Sequence, residues 1–283
     1  MVMKKVFWII LCMFFILPVT FAGNMKLHYE RPAEYFEEAL VIGNGTMGAT
    51  LYGGVKKDKI SFNDITLWTG EPESENSSPD AFNVIPEIRA LLDNEDYEGA
   101  DKAQYKVQGH YSENYQPLGT LTIEYLDDTA GISDYHRWLD IGNATARTQY
   151  LKDGKLFTSD YFASAPDSVI VIRLKSENKE GIHALLSFDS PLPHSSQVAD
   201  NEISVEGYAA YHSFPVYYKA EDKHRYDPER GIHFKTLVRV LSVDGSVKNR
   251  YSDSRIEIDG STEVLILIAN VTSFNGFDKD PVK

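Results

Sequence analysis

Residues 119–125, Gly-Thr-Leu-Thr-Ile-Glu-Tyr, place Leu121, Ile123 and Tyr125 on one side of an extended chain and Thr120, Thr122 and Glu124 on the other. Side chains of a strand alternate with a period of two, so the stretch reads as a half-buried strand with one wet face. Short runs of the same kind follow at 160–165, 168–174, 182–188, 203–205, 232–241 and 263–269. Several are bounded by the turn pairs Asp153-Gly154, Asp244-Gly245 and Asp259-Gly260. Many short strands with turns between them predict a mostly β fold built as a large two-sheet sandwich. No repeat of fixed period is visible, which argues against a propeller or solenoid.

Upstream, residues 40–55 (LVIGNGTMGATLYGGV) interrupt apolar positions with Gly43, Gly45, Gly48, Gly53 and Gly54. That is too many glycines for a helix interior and suits strands joined by tight turns. Residues 59–62 continue the sheet character, and Asn63-Asp64 reads as a turn signal. A polar connection at 70–80 follows, then a helical insertion near residues 84–106. Its first helix has Pro86 at an early position, with Ile85, Ile88, Leu91 and Leu92 on one face. A second short helix is expected over 97–105. Residues 24–38 mix polar and aromatic side chains and read as an N-terminal arm packed onto the body.

The first residues stand outside this pattern. Lys4 and Lys5 precede an apolar run at 6–17, Pro18 breaks it, and Thr20-Phe21-Ala22 offers small residues for cleavage between Ala22 and Gly23. Residues 1–22 therefore read as a secretory signal peptide, and 23–283 as the mature domain, exported to the periplasm or beyond the cell. The run is too short for a spanning helix, so no membrane span is expected after cleavage. Cys12, the only cysteine, leaves with the signal, so the mature chain has no disulfide or thiol nucleophile. Its 26 basic residues then face 42 acidic ones. Such an acidic surface repels phosphate backbones, and no nucleic-acid partner is expected.

Local chemistry is sparse. Gly43-Asn44-Gly45 runs into more strand-like sequence and is followed by no Lys-Ser or Lys-Thr pair, so no phosphate loop is read. The eight histidines are scattered singly, with no helical pair at i, i+4, and neither a metal nor another cofactor is expected. No Gly-x-Ser-x-Gly elbow occurs. The acids Glu221, Asp222, Asp227 and Glu229 read as a solvated loop. Glycoside hydrolysis needs two carboxylates about 5–10 Å apart, but spacing along a chain with 42 acids selects no pair. Sequons stand at Asn44, Asn76, Asn143 and Asn270.

Six segments in order do resemble a known family. Residues 39–49, Ala-Leu-Val-Ile-Gly-Asn-Gly-Thr-Met-Gly-Ala, look like the opening signature of glycoside hydrolase family 95, with Val41 where proline is usual. Residues 63–72, Asn-Asp-Ile-Thr-Leu-Trp-Thr-Gly-Glu-Pro, are similar to its second block, with Asp64 where glutamate is common. Tyr-Gln-Pro-Leu-Gly-Thr-Leu at 115–121, Tyr-His-Arg-Trp-Leu-Asp at 135–140, Tyr-Phe-Ala-Ser-Ala-Pro-Asp at 161–167 and Thr-Ser-Phe at 272–274 continue the series. The resemblance runs from about residue 27 to the C-terminus and extends to the related N-terminal domain of family 65.

The resemblance implies an N-terminal β super-sandwich, linker helices and then an (α/α)6 barrel. In that family the barrel hydrolyses terminal α-L-fucosides, in some members α-L-galactosides, with inversion, using a glutamate as acid and asparagine with aspartate to position water. The barrel would follow Lys283, so no catalytic residue is carried onto this chain, which is expected to be inactive alone. The partners implied are the barrel of the same polypeptide and a fucosylated glycan. Asn44, Asn63 and Trp68 lie in the best-matched blocks and have side chains able to hydrogen-bond or stack on a sugar. Alternatively Asn44 holds a turn, Asn63 caps one, and Trp68 belongs to the core or to an interface. A docking surface for the barrel is the first expectation; a self-standing carbohydrate-binding module and a purely structural domain are the rivals.

Overall fold

The computed structural model describes residues 25–72, 80–109 and 111–282. The proposed signal peptide and its cleavage pair Ala22 and Gly23 lie outside the described residues, as do Asn76 and His110. In chain order the first elements are β1 (Lys26–Tyr29), β2 (Leu40–Gly43), β3 (Met47–Leu51), β4 (Lys57–Asp64), α1 (Ala81–Asp93) and α2 (Tyr97–Gln104). Then come β5 (Gly119–Tyr125), β6 (Ile132–Asp140), β7 (Thr145–Lys152), β8 (Lys155–Ser164), β9 (Val169–Ser176), β10 (Ile182–Asp189), β11 (His194–Ala199) and β12 (Glu202–Tyr208). The chain closes with β13 (His212–Ser213), β14 (His224–Arg225), β15 (His233–Ser242), β16 (Ser246–Arg250), β17 (Arg255–Ser261) and β18 (Glu263–Thr272).

Two antiparallel sheets hold nearly all of these strands. A nine-stranded sheet runs β1-β6-β7-β8-β9-β18-β15-β12-β11, and a seven-stranded sheet runs β16-β17-β10-β5-β4-β3-β2. They stack face to face, with β2 over β6, β7 and β8 at one side and β16 and β17 over β11 and β12 at the other. The alternation read from residues 119–125 is the alternation observed: Leu121, Ile123 and Tyr125 are buried, while the threonines and glutamate between them stay half-exposed. Ile170, Ile172 and Leu174 of β9 and Val264, Ile266 and Ile268 of β18 supply the opposite wall. Burial of these branched side chains between two sheets is the main force holding the sandwich.

The N-terminal arm is fastened from within. Arg137 of β6, a residue of the fourth matched block, is buried; its Nε donates to the Arg31 carbonyl and its Nη1 to the Glu38 carbonyl, each at 2.8 Å. The guanidinium also lies 4.2 Å from the centre of the Tyr29 ring. A rigid fork with two fixed acceptors holds a looping arm against a sheet better than scattered apolar contacts would.

Three local expectations shift. Helix α1 begins at Ala81, so Pro86 stands inside it rather than near its start. The carbonyl deprived of a partner is that of Phe82, a strongly exposed residue, where water can replace the lost bond. Asn63-Asp64 is the last rung of β4, pairing with Gly48 and Met47, and the turn opens one residue later. Asp64 makes that turn, its Oδ1 accepting from the Thr66 amide at 2.9 Å. Asp259-Gly260 lies within β17, where the pairing with β10 shifts by one residue and Gly260 takes φ +74. An extra residue in one strand makes a bulge, which a left-handed glycine accommodates. Helices α1 and α2 pack chiefly on each other; α1 buries no residue, while α2 buries Ala100 and Ala103.

Candidate functional site

Residues of five of the six matched blocks meet along one rim of the sandwich. Asn44, between β2 and β3, accepts from the amides of Thr46 at 3.0 Å and Met47 at 2.8 Å, and its Nδ2 donates to the Ser164 carbonyl at 3.0 Å. It therefore shapes a turn of one sheet and pins that turn to β8 of the other. The Thr46 carbonyl accepts from the Ile65 amide at 2.9 Å, and the Ile65 carbonyl accepts from Trp68 Nε1 at 3.0 Å. Asn44 and Trp68 thus belong to one hydrogen-bonded chain along the rim.

Trp68 is not core: it is 44 % exposed. Its ring meets Tyr115 edge-on at 5.6 Å, and the two residues form a backbone bridge. Tyr115, itself 40 % exposed, has its phenol pushed up by partial burial and by the nearby Asp64 charge. Phe274 and Phe277 follow β18 and share a shallow groove of about 200 Å³ with Trp68, Glu71 and Glu113. Sites that engulf a small ligand run to about 300–1,000 Å³, so this groove is an aromatic ledge rather than an enclosing pocket.

Beneath the ledge a polar network crosses between the sheets. The buried Asp64 accepts from the Thr66 hydroxyl at 2.7 Å on one oxygen and from Asn270 Nδ2 at 2.8 Å on the other. Asn270 Oδ1 accepts from the Thr236 hydroxyl at 2.8 Å, and the Thr66 and Thr272 hydroxyls meet at 2.6 Å. A buried carboxylate costs stability unless donors surround it, and these donors fix the loop that presents Trp68.

A second network supports the neighbouring loop. Glu113 accepts from the Thr69 hydroxyl and from the Ser213 amide at 3.0 Å, and it meets His212 Nδ1 at 2.7 Å. Gly70 passes alongside at φ +107, where an added Cβ would sit 2.6 Å from Glu113 Cγ. Ser213 Oγ lies 2.7 Å from His224 Nδ1, the spacing of a nucleophile and its base, but Ser213 is 1 % exposed and no substrate could reach it. Tyr111, Tyr217 and Tyr218 cluster beside these groups with exposed edges. The acids Glu221, Asp222 and Glu229 are exposed and Asp227 is half-exposed, in keeping with a solvated loop.

Asn63 departs from the other two. Its side chain points away from the core, on the outer face of the seven-stranded sheet, into a groove of about 610 Å³ with Phe36, Ser61, Pro117 and Thr120. Gly48 and Gly119 leave its floor low, and Thr50 Oγ1, buried there, has no hydrogen-bond partner among the described residues. The roles of Glu113, His212 and Asn270 were invisible in sequence, because each is defined by a partner about 100 or more residues away. Among the described residues, one group gathers possible metal ligands: His28, Glu30 and His136, on β1, just beyond it, and on β6. No described helix is long and apolar enough to cross a membrane.

Comparison with known proteins gives these surfaces a context. The chain is 28 % identical over 259 residues to "Alpha-L-fucosidase 2" of Arabidopsis thaliana, covering 89 % of this chain and 31 % of that protein. It is 23 % identical over 248 residues to "Probable alpha-fucosidase A" of Aspergillus oryzae, covering 84 % of this chain and 32 % of the relative. A protein of the same description from Aspergillus niger is 27 % identical over 277 residues, with 91 % and 32 % covered. The chain spans about a third of the length of these relatives. Residues 27–276 match the family described as "Glycosyl hydrolase family 65, N-terminal domain". With nearly the whole described body inside that match, the chain belongs to this family of glycoside hydrolase N-terminal domains.

Proposed function

We propose that this chain is the exported, non-catalytic N-terminal domain of a family 95-like hydrolase of terminal α-L-fucosides, and that the bond is cleaved by a following barrel. The observation that carries the reading is the match along 84–91 % of this chain to proteins named as fucosidases, of which it spans only 31–32 %. The aromatic ledge around Trp68 and Phe274 supports it, since rigid half-exposed rings suit a surface that packs against another domain. In this reading Trp68 docks the barrel and Asn44 holds the turn beside it. The test is release of chromophore from a chromogenic α-L-fucoside by residues 23–283 alone, beside the same domain fused to its downstream coding sequence. Turnover is expected only from the fusion; turnover by residues 23–283 would overturn the assignment.

A second reading is favoured by the outer groove. Its volume, the exposed amide of Asn63 and the unpartnered hydroxyl of Thr50 suit a sugar better than the ledge does. A self-standing carbohydrate-binding role predicts saturable heat on titrating residues 23–283 with fucosylated oligosaccharide, abolished by Asn63→Ala; no heat removes this reading.

A further inference from the structure

Strand pairing brings together side chains that sequence spacing keeps apart. In the β1–β6 ladder His28 stands opposite Trp138 and Tyr29 opposite Arg137. His136, two residues before Trp138, therefore shares a face with His28, and Glu30, two residues after His28, falls on that same face. The two imidazoles stack with centroids 5.1 Å apart and planes 30° from parallel. One donor atom from each of His28, Glu30 and His136 lies within 4.8 Å of the other two.

We propose that His28, Glu30 and His136 form a divalent transition-metal site, matched best to zinc, which fastens the edge strand β1 to β6. Two imidazole nitrogens and one carboxylate oxygen are a donor set that zinc accepts, with water completing a tetrahedron. Bond lengths to zinc bring such donors to about 3.3 Å from one another. His28 and Glu30 are exposed at the sheet edge, so modest side-chain rotation closes the gap.

Two independent features of His136 point the same way. Asp134 Oδ1 lies 3.1 Å from His136 Nε2, the carboxylate contact that orients a ligating histidine and sets which nitrogen keeps its lone pair. The other nitrogen, Nδ1, is buried and has no hydrogen-bond partner among the described residues. A metal ion is one group that would use it. The backbone is also adapted here: β6 bulges between Ser133 and His136, with Asp134 at φ +51. Bulges re-aim side chains, and this one turns the Asp134 carboxylate toward the histidine.

The experiment uses the protein purified without a polyhistidine tag and stripped with a chelator. Titration with Zn²⁺ in a calorimeter is expected to give one saturable equivalent and a higher melting temperature. Co²⁺ in its place should develop visible absorption bands of nitrogen and oxygen coordination. His28→Ala and Glu30→Gln, both at exposed positions, should lose the equivalent and the Tm shift while melting like the wild type in chelator. Asp134→Asn should weaken binding about tenfold. Absence of a saturable Zn²⁺ equivalent in the wild type, or its survival in His28→Ala, overturns the proposal.

Discussion

The phenol of Tyr161 donates to Oδ2 of Asp58 at 2.8 Å, a hydrogen bond that crosses the interior from β8 of one sheet to β4 of the other. Both residues are buried, at 1 % exposure each. Asp58 also accepts from the Gly54 amide at 2.9 Å on its other oxygen. Burial pushes its carboxyl up to about 6, against the pull of these donors.

That shift gives stability a slope in pH. The folded protein holds the Asp58 proton up to about pH 6, whereas the unfolded chain releases it near 3.8, the ordinary value for an aspartate. Folding is therefore favoured by this group below about pH 4, and the contribution is lost as pH rises to 6 and beyond. The loss amounts to about 3 kcal/mol. Urea denaturation of wild type and Asp58→Asn from pH 4 to 7 should show the wild type losing about that much relative to the variant. A constant difference across the range would contradict it.

Arg137→Ala should destabilise the fold by about 3 kcal/mol, since two carbonyls of the arm lose a charged donor and the Tyr29 ring loses its cation. Arg137→Lys keeps the charge but not the fork, and should recover less than half. Limited proteolysis between Arg31 and Glu38 reads the release of the arm separately from global unfolding.

Gly70→Ala combines a backbone conformation unfavourable for alanine with a collision against Glu113. A cost of about 2 kcal/mol is expected from the strain. Removing the obstructing side chain with Glu113→Ala in the same protein should relieve part of it, so the double-mutant cycle should be non-additive.

Trp68→Ala should cost the isolated domain about 1 kcal/mol, the value of one hydrogen bond and one edge-on aromatic contact at a half-exposed position. If the proposed barrel packs on this ledge, the same change in a protein that carries the barrel should lower its turnover of an α-L-fucoside or its melting temperature well beyond that amount. Equal small effects in both contexts would remove Trp68 from the interface.

The strand repertoire was legible in sequence because alternation is local: Leu121, Ile123 and Tyr125 declare their face within seven residues. The first helix was legible from the apolar face of Ile85, Ile88, Leu91 and Leu92, and a second short helix was expected and found close to its observed bounds. What was not legible arises where strands meet. His28 and His136 become neighbours only through the β1–β6 register, and Asn63 and Trp68, five residues apart in sequence, separate because one lies on a strand face and the other beyond the turn. Asp259-Gly260 carries the sign of a turn, but its glycine serves a bulge, a distinction made by the partner strand β10. Pro86 suggests a helix start, but the Phe82 carbonyl it leaves without a partner belongs to an exposed residue, so the helix can begin earlier, at Ala81.

The strand order of the nine-stranded sheet also bears on how the molecule comes into being. Strand β18, residues 263–272, lies between β9 and β15, in the middle of the sheet rather than at its rim. As the polypeptide is synthesised, β9 and β15 each emerge with an unfilled edge and wait for a segment delivered close to the end of the domain. Closure is therefore a late event dominated by contacts between distant residues, which makes it slow. Until then those edges are open to pairing with other chains, so holding the nascent chain apart from its neighbours matters most in the interval before residue 272 arrives.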